Sequence, residues 1–253
     1  MTRAISTIRQ EGFSLIELLV ALGIFLVVTG AAFTLLGGSQ QRYRTESQVL
    51  NAFQEARLGL DQIVRDVNDA GYPPPSFFSA FTPVNSASTP FAWSPNYPGP
   101  TCQLGGGCAT PGAFDLIVET NPNPQDPNSQ VQWIRYQLQL PPQVQVPTLM
   151  RGMAPKVSGD DPAADTVANL APFVQNVVNT PAQPIFSYTC DTSSAPQSPP
   201  LLCPLAAAAD NVPPEIRDVI ITLIVAAPQP DAISGQQRIV VLTGRGRRVN
   251  PNQ

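Results

Sequence analysis

The sequence predicts an α+β protein: one long N-terminal helix packed on a largely antiparallel β-sheet domain. Three observations predict it. Residues 1–72 contain no proline, and all 29 prolines fall in residues 73–253, roughly three times the usual ~5% share. Proline removes a backbone donor and breaks helices. The first third is therefore free to be one helix, and the remainder must be strands and loops. Within that first third, Leu50, Phe53, Leu60, Ile63, Val64 and Val67 recur at three- and four-residue steps, a helical stripe. Beyond Pro73, short runs rich in β-branched and aromatic residues are separated by Pro, Asn and Gly, the pattern of strands.

The helix divides in two. Residues 1–12 are short and polar, with Arg3 and Arg9. From Phe13 to Gln41 the only formal charge is Glu17, and this apolar run exceeds the ~20 residues that span a bilayer. Arg42 and Arg44 close it. Arg3 and Arg9 before the span place the N-terminus in the cytoplasm by the positive-inside rule, although Arg42 and Arg44 weaken that argument. Residues 42–72 continue as an amphipathic extension. Its other faces carry Glu46, Glu55, Arg57, Asp61, Arg65, Asp66 and Asp69, with Arg57/Asp61, Asp61/Arg65 and Arg65/Asp69 as i,i+4 pairs. Gly37-Gly38 marks a soft point, and Gly71-Tyr72-Pro73 a stop. A helix from Ser14 to Ala70 would be on the order of 85 Å long at 1.5 Å per residue.

In the domain of residues 73–253, strands are expected at Phe114–Thr120, Val131–Leu140, Thr148–Met153, Pro184–Cys190, Ile216–Ala227 and Gln237–Val249. Ala171–Val178 reads as a strand or a short turn of helix. Their sheet would lay its apolar face on the helix stripe. Residues 73–112 read as a long surface insertion. Phe77, Phe78, Phe81, Phe91, Trp93 and Tyr97 make it a candidate contact surface for neighbouring subunits or an exported partner.

Composition narrows the chemistry. The chain has no histidine, which excludes Ser-His and Cys-His catalytic pairs and His-ligated metals. With no convergent acid–base set either, no catalysis and no cofactor are expected. A net charge of −4 gives a nucleic-acid partner little support. The apolar share of 43% is too high for a disordered chain. Cys102, Cys108, Cys190 and Cys203 allow three pairings. An oxidising exterior and short loops favour Cys102–Cys108 and Cys190–Cys203, with a zinc site as the rival. Residues 121–128 and 159–165 could offer oxygen ligands to calcium, but read better as solvated loops. Gly105-Gly106-Gly107 lacks the context of a phosphate loop. Gly244-Arg245-Gly246-Arg247-Arg248 reads as an edge-strand end with solubilising arginines rather than a DNA or lipid contact.

Glu17 does not fit a simple anchor, because a carboxylate inside a membrane span is costly unless paired. Gly12-Phe13-Ser14-Leu15-Ile16-Glu17-Leu18-Leu19-Val20-Ala21-Leu22 resembles the class III signal of type IV pilins and type II secretion pseudopilins. The resemblance implies a pilin-like fold and a membrane prepilin peptidase that cuts after Gly12 and methylates Phe13. It also implies that Glu17 pairs with the N-terminal amine of a neighbouring subunit during assembly. Residues 57–72, with their acidic-arginine pair and Ala70-Gly71-Tyr72, look like the helix end of PilW-like minor pilins and, less closely, of J-class pseudopilins. The expected protein is a single-pass inner-membrane minor prepilin with its globular part in the periplasm. It would lie in lipid before assembly, then pass through the inner-membrane assembly platform into a pilus that it primes or modifies. A type II secretion pseudopilin, and an unprocessed anchored binding protein, are the alternatives.

Overall fold

The computed structural model describes residues 12–77, 86–126, 129–191, 201–205, 208–231 and 234–249. Residues 1–11 of the expected leader, Phe78 and Phe81, and residues 127–128 of the first calcium candidate lie outside the described residues. The chain forms two compact units, Met1–Ser47 and Gln48–Gln253.

Helix α1 spans Leu15–Asn68, two residues short of the expected end. It runs through Gly37-Gly38 without a break. Within the first unit, Thr29 Oγ1 donates to Phe25 O at 2.7 Å and Thr34 Oγ1 to Ala31 O at 2.8 Å. Hydroxyls that bond the preceding turn leave an apolar helix surface without unsatisfied donors. Gly71, at φ +80°, takes the left-handed conformation that stops the helix, and its N–H donates to Glu119 O at 2.9 Å.

The second unit holds two antiparallel sheets where a single sheet was expected. Strands β1 (Phe91–Ala92), β2 (Asp115–Thr120), β3 (Gln132–Gln139), β4 (Thr148–Pro155) and β5 (Ala171–Gln175) form a five-stranded sheet in sequence order. Strands β6 (Phe186–Cys190), β7 (Leu201–Leu202), β8 (Ile216–Ala226) and β9 (Ile239–Arg247) form a four-stranded sheet in the order β7-β6-β8-β9. The division falls after β5. There the chain turns through Asn176, at φ +57°, and crosses to the other sheet. Val178 N–H donates to Ile224 O and Ala226 N–H to Asn176 O.

One core joins α1 to both sheets, with Leu60, Ile63 and Val67 packed among Ile134, Tyr136, Val174, Val219 and Ile221. Small residues set the distances. A Cβ on Gly246 would lie 2.5 Å from Val67 Cγ1, and one on Gly59 would lie 2.5 Å from Val174 Cγ2. Gly246→Ala is therefore expected to overpack this contact and cost about 1–3 kcal/mol, read by chemical denaturation of the full chain in detergent. Helix side chains also cap both flanking sheet edges. Gln175 N–H donates to Glu55 Oε1 at 2.9 Å, and Arg247 N–H to Asn68 Oδ1 at 2.8 Å. Each removes an open donor from an edge strand.

Several helix expectations need correction. Leu50 is 60% exposed and lies off the buried face, whose fully buried members run from Ala56 to Val67. Asp66, expected on an outer face, is buried. It accepts from Tyr136 Oη, from Arg151 Nη2 at 3.0 Å and from Gln62 Nε2 at 2.8 Å. Burial, followed by the Asp66 charge, pushes the Tyr136 hydroxyl well above its ordinary value, so it stays a proton donor. Among the described residues, none of the three i,i+4 pairs closes as an ion pair.

The 73–112 segment is the largest correction, because much of it is interior. Ala92, Trp93 and Tyr97 pack with Ile117 and Trp133 into a second small core on the outward face of the five-stranded sheet. Both faces of β2 are thus covered, which explains its unbroken burial from Leu116 to Thr120. Glu119 and Lys156 tie this layer down from fully buried positions. Lys156 Nζ donates to Glu119 Oε1 at 2.6 Å, to Ser86 O at 3.2 Å and to Ser88 Oγ. Glu119 Oε2 accepts from Tyr97 Oη at 2.6 Å and Trp133 Nε1 at 3.0 Å. The 159–165 segment, read as a solvated loop, instead enters helix α2 (Pro162–Val167), capped by Asp161 accepting from Ala163 N–H at 2.9 Å. Arg135 Nη1 donates to Ala163 O at 2.7 Å and so holds α2 on the same outward face.

Candidate functional site

The sequence-marked residues Gly12, Phe13 and Glu17 lie together at the start of α1. Gly12 has no atom near its would-be Cβ, and Phe13 is 88% exposed. The Gly12–Phe13 peptide bond thus precedes the helix in an open, non-helical stretch. Ser14 sits at the helix N-cap. Glu17 N–H donates to Ser14 Oγ at 3.3 Å, while Ser14 N–H donates to Glu17 Oε2 at 3.2 Å. This reciprocal pair is a capping box, and it defines where the helix begins. The Ser14-x-x-Glu17 spacing is the sequence signature of that cap. Glu17 therefore has two environments available: one oxygen is held by its own helix, and the remaining lone pairs are open.

Behind it, α1 is long and apolar enough to cross a membrane, and none of that stretch is buried. Leu15, Ile16, Phe25, Val27, Phe33 and Leu35 are each more than 60% exposed. So much open apolar surface requires lipid or other helices around it. The model of the prokaryotic N-terminal methylation motif matches residues 8–33, which contain the open peptide bond, the capping box and the apolar turns after it. The N-terminus is that of a type IV pilin-like prepilin. Prepilins of this motif are structural rather than catalytic, are processed by a prepilin peptidase and assemble with other pilins. The apolar helix and the motif together fit single-pass membrane anchoring. Comparison of the chain with curated proteins and with solved structures finds no match.

The other marked residues of the chain lie in the second unit, apart from the N-terminal motif in sequence. Cys102 is joined to Cys108 with Cα atoms 5.0 Å apart, and Cys190 to Cys203 with Cα atoms 5.6 Å apart. One closes the loop after the second small core, and the other joins the end of β6 to the chain just after β7. Cys108 and Cys203 also line one cavity of about 270 Å³ with Leu104, Pro111, Phe186 and Tyr188. Its polar wall is spent internally, since Tyr188 Oη donates to Gly112 O at 2.6 Å. The basic C-terminal cluster is less free than expected. Arg245 Nη2 and Arg247 Nε both reach the buried Asp218 carboxylate, at 2.6 and 3.8 Å, and Arg248 is mostly buried and donates to Pro214 O.

Proposed function

We propose that this chain is a minor pilin, a structural subunit that primes or modifies assembly of a type IV pilus after cleavage behind Gly12 and methylation of Phe13. The observation that carries the reading is the open Gly12–Phe13 bond set directly before a capped, fully exposed apolar helix whose only early charge is Glu17.

Cleavage creates a cationic amine on Phe13, one turn from Glu17. In a bundle of such helices each amine meets a neighbour's carboxylate, and a helix packed out of register leaves both charges unpaired. Paired charges are tolerable in an apolar bundle, whereas unpaired ones cost several kcal/mol. Assembly thereby gains an axial register. The basic leader residues Arg3 and Arg9 support a cytoplasmic N-terminus and a periplasmic globular part, with the peptidase, the other pilin subunits and the inner-membrane platform as partners. Two disulfides suit that oxidising side.

Mass spectrometry of the chain taken from its own membrane tests the reading. A mature form that begins at Phe13 with one added methyl group is the expected result. A chain that keeps residues 1–12 in both membrane and filament fractions sinks it.

A further inference from the structure

We propose that the outward face of the four-stranded sheet docks a second copy of this chain, receiving that copy's acidic edge around Asp160 and Asp165. The pairing goes beyond the helix-driven assembly above, because it uses only the globular unit.

The sheet's register defines the face. Asp218 pairs with Arg247, Ile220 with Arg245, Thr222 with Thr243, Ile224 with Val241 and Ala226 with Ile239, so these residues share one side, on which Asp218, Ile224 and Ala226 of β8 are buried and the β9 residues are exposed. The alternate set faces α1, as Gly246 against Val67 shows. An antiparallel sheet with one solvated face normally carries polar residues there. Here Ile239 and Val241 are 58% and 59% exposed at one end. At the other end Arg245 and Arg247 have half-exposed side chains and share the single carboxylate of Asp218. The result is an apolar ledge beside a net positive rim, which fits an apolar ridge flanked by carboxylates.

The same chain carries that counterpart elsewhere. Val157 and Val167, 46% and 54% exposed, flank Asp160, Asp161 and Asp165 at the edge of α2. None of these carboxylates closes an ion pair among the described residues. The Asp165 carboxyl is pushed above its ordinary value, by burial first and then by Asp160 and Asp161, so a cation beside it would be stabilising. The two patches cannot meet within one molecule. Helix α2 lies on the outward face of the five-stranded sheet, whereas the arginines lie on the outward face of the four-stranded sheet, with the shared core between them. Two different patches that complement each other make a heterologous contact, so the second copy presents a different surface from the one that receives it.

The test places a photo-crosslinking residue at Val241 of the full chain in its own membrane. The expected product is an adduct of two copies, with the partner site within residues 157–169. Asp160→Lys combined with Asp165→Lys should lower its yield about fivefold, as should added salt. Asp161 is left intact because it caps α2. Val157→Lys, at an exposed side chain, is the second variant and should lower the yield without charge reversal at the aspartates. Unchanged tryptophan emission would show that each variant is folded. An adduct at another segment, an adduct only to a different protein, no adduct, or undiminished yield in both folded variants would overturn the proposal.

Discussion

Glu17→Gln is expected to be inserted, cleaved and methylated normally, yet to enter filaments at least about tenfold less than the parent chain. The glutamine amide oxygen can still accept from Ser14 N–H, because glutamine serves the same position of a capping box. The helix should therefore begin where it does now. What is lost is the negative charge that a neighbour's Phe13 amine would need, and an unpaired amine in an apolar bundle costs several kcal/mol. A tenfold loss corresponds to only about 1.4 kcal/mol, so the expected figure is a conservative one. Filament and membrane fractions compared by immunoblot give the measurement. Normal filament content would remove Glu17 from the assembly mechanism, and a processing defect would mean that the peptidase reads the charge.

Lys156→Met is expected to lower the unfolding free energy by about 3–5 kcal/mol, the usual consequence of leaving a buried carboxylate without its cation. Glu119 would keep its bonds from Tyr97, Trp133 and Ser88 N–H but would lose the one cation that pairs with it among the described residues. The chain's two tryptophans, Trp93 and Trp133, both lie in this layer and report its opening directly by fluorescence during urea titration. The double change Lys156→Met with Glu119→Leu should recover part of the loss, since an apolar pair of similar volume needs no compensation. A Lys156→Met chain that unfolds at the parent's urea concentration would show that the Lys156–Glu119 pair adds nothing to stability.

The sequence alone determined the division of this protein. The absence of proline before Pro73, the uncharged run after Phe13 and the heptad-like stripe up to Val67 left little choice but a long helix that is apolar first and amphipathic later. The seven strand segments were legible for the same reason, since β-branched runs between proline-rich turns have one easy conformation. The Gly12–Phe13–Glu17 constellation, on which the proposed cleavage, methylation and pairing rest, could be read as a motif because its members are neighbours in sequence.

Tertiary structure decided everything that depends on neighbours in space. Periodicity cannot say which sheet a strand joins, and the crossing at Asn176 that makes two sheets depends on a register with β8. Asp66 sits at helical spacing from Ile63 and Ala70 and so lies on the buried face, but only Tyr136 and Arg151, far along the chain, make that burial affordable. Glu119 and Lys156 likewise look like surface charges until the 86–97 segment covers them. A charged side chain in an apolar run carries no sign of its partner, since the partner's position is set by strand pairing rather than by spacing. Leu50 shows the converse: it was placed on the buried stripe, but the packed face runs through Val49, Ala52 and Ala56 and leaves Leu50 in solvent.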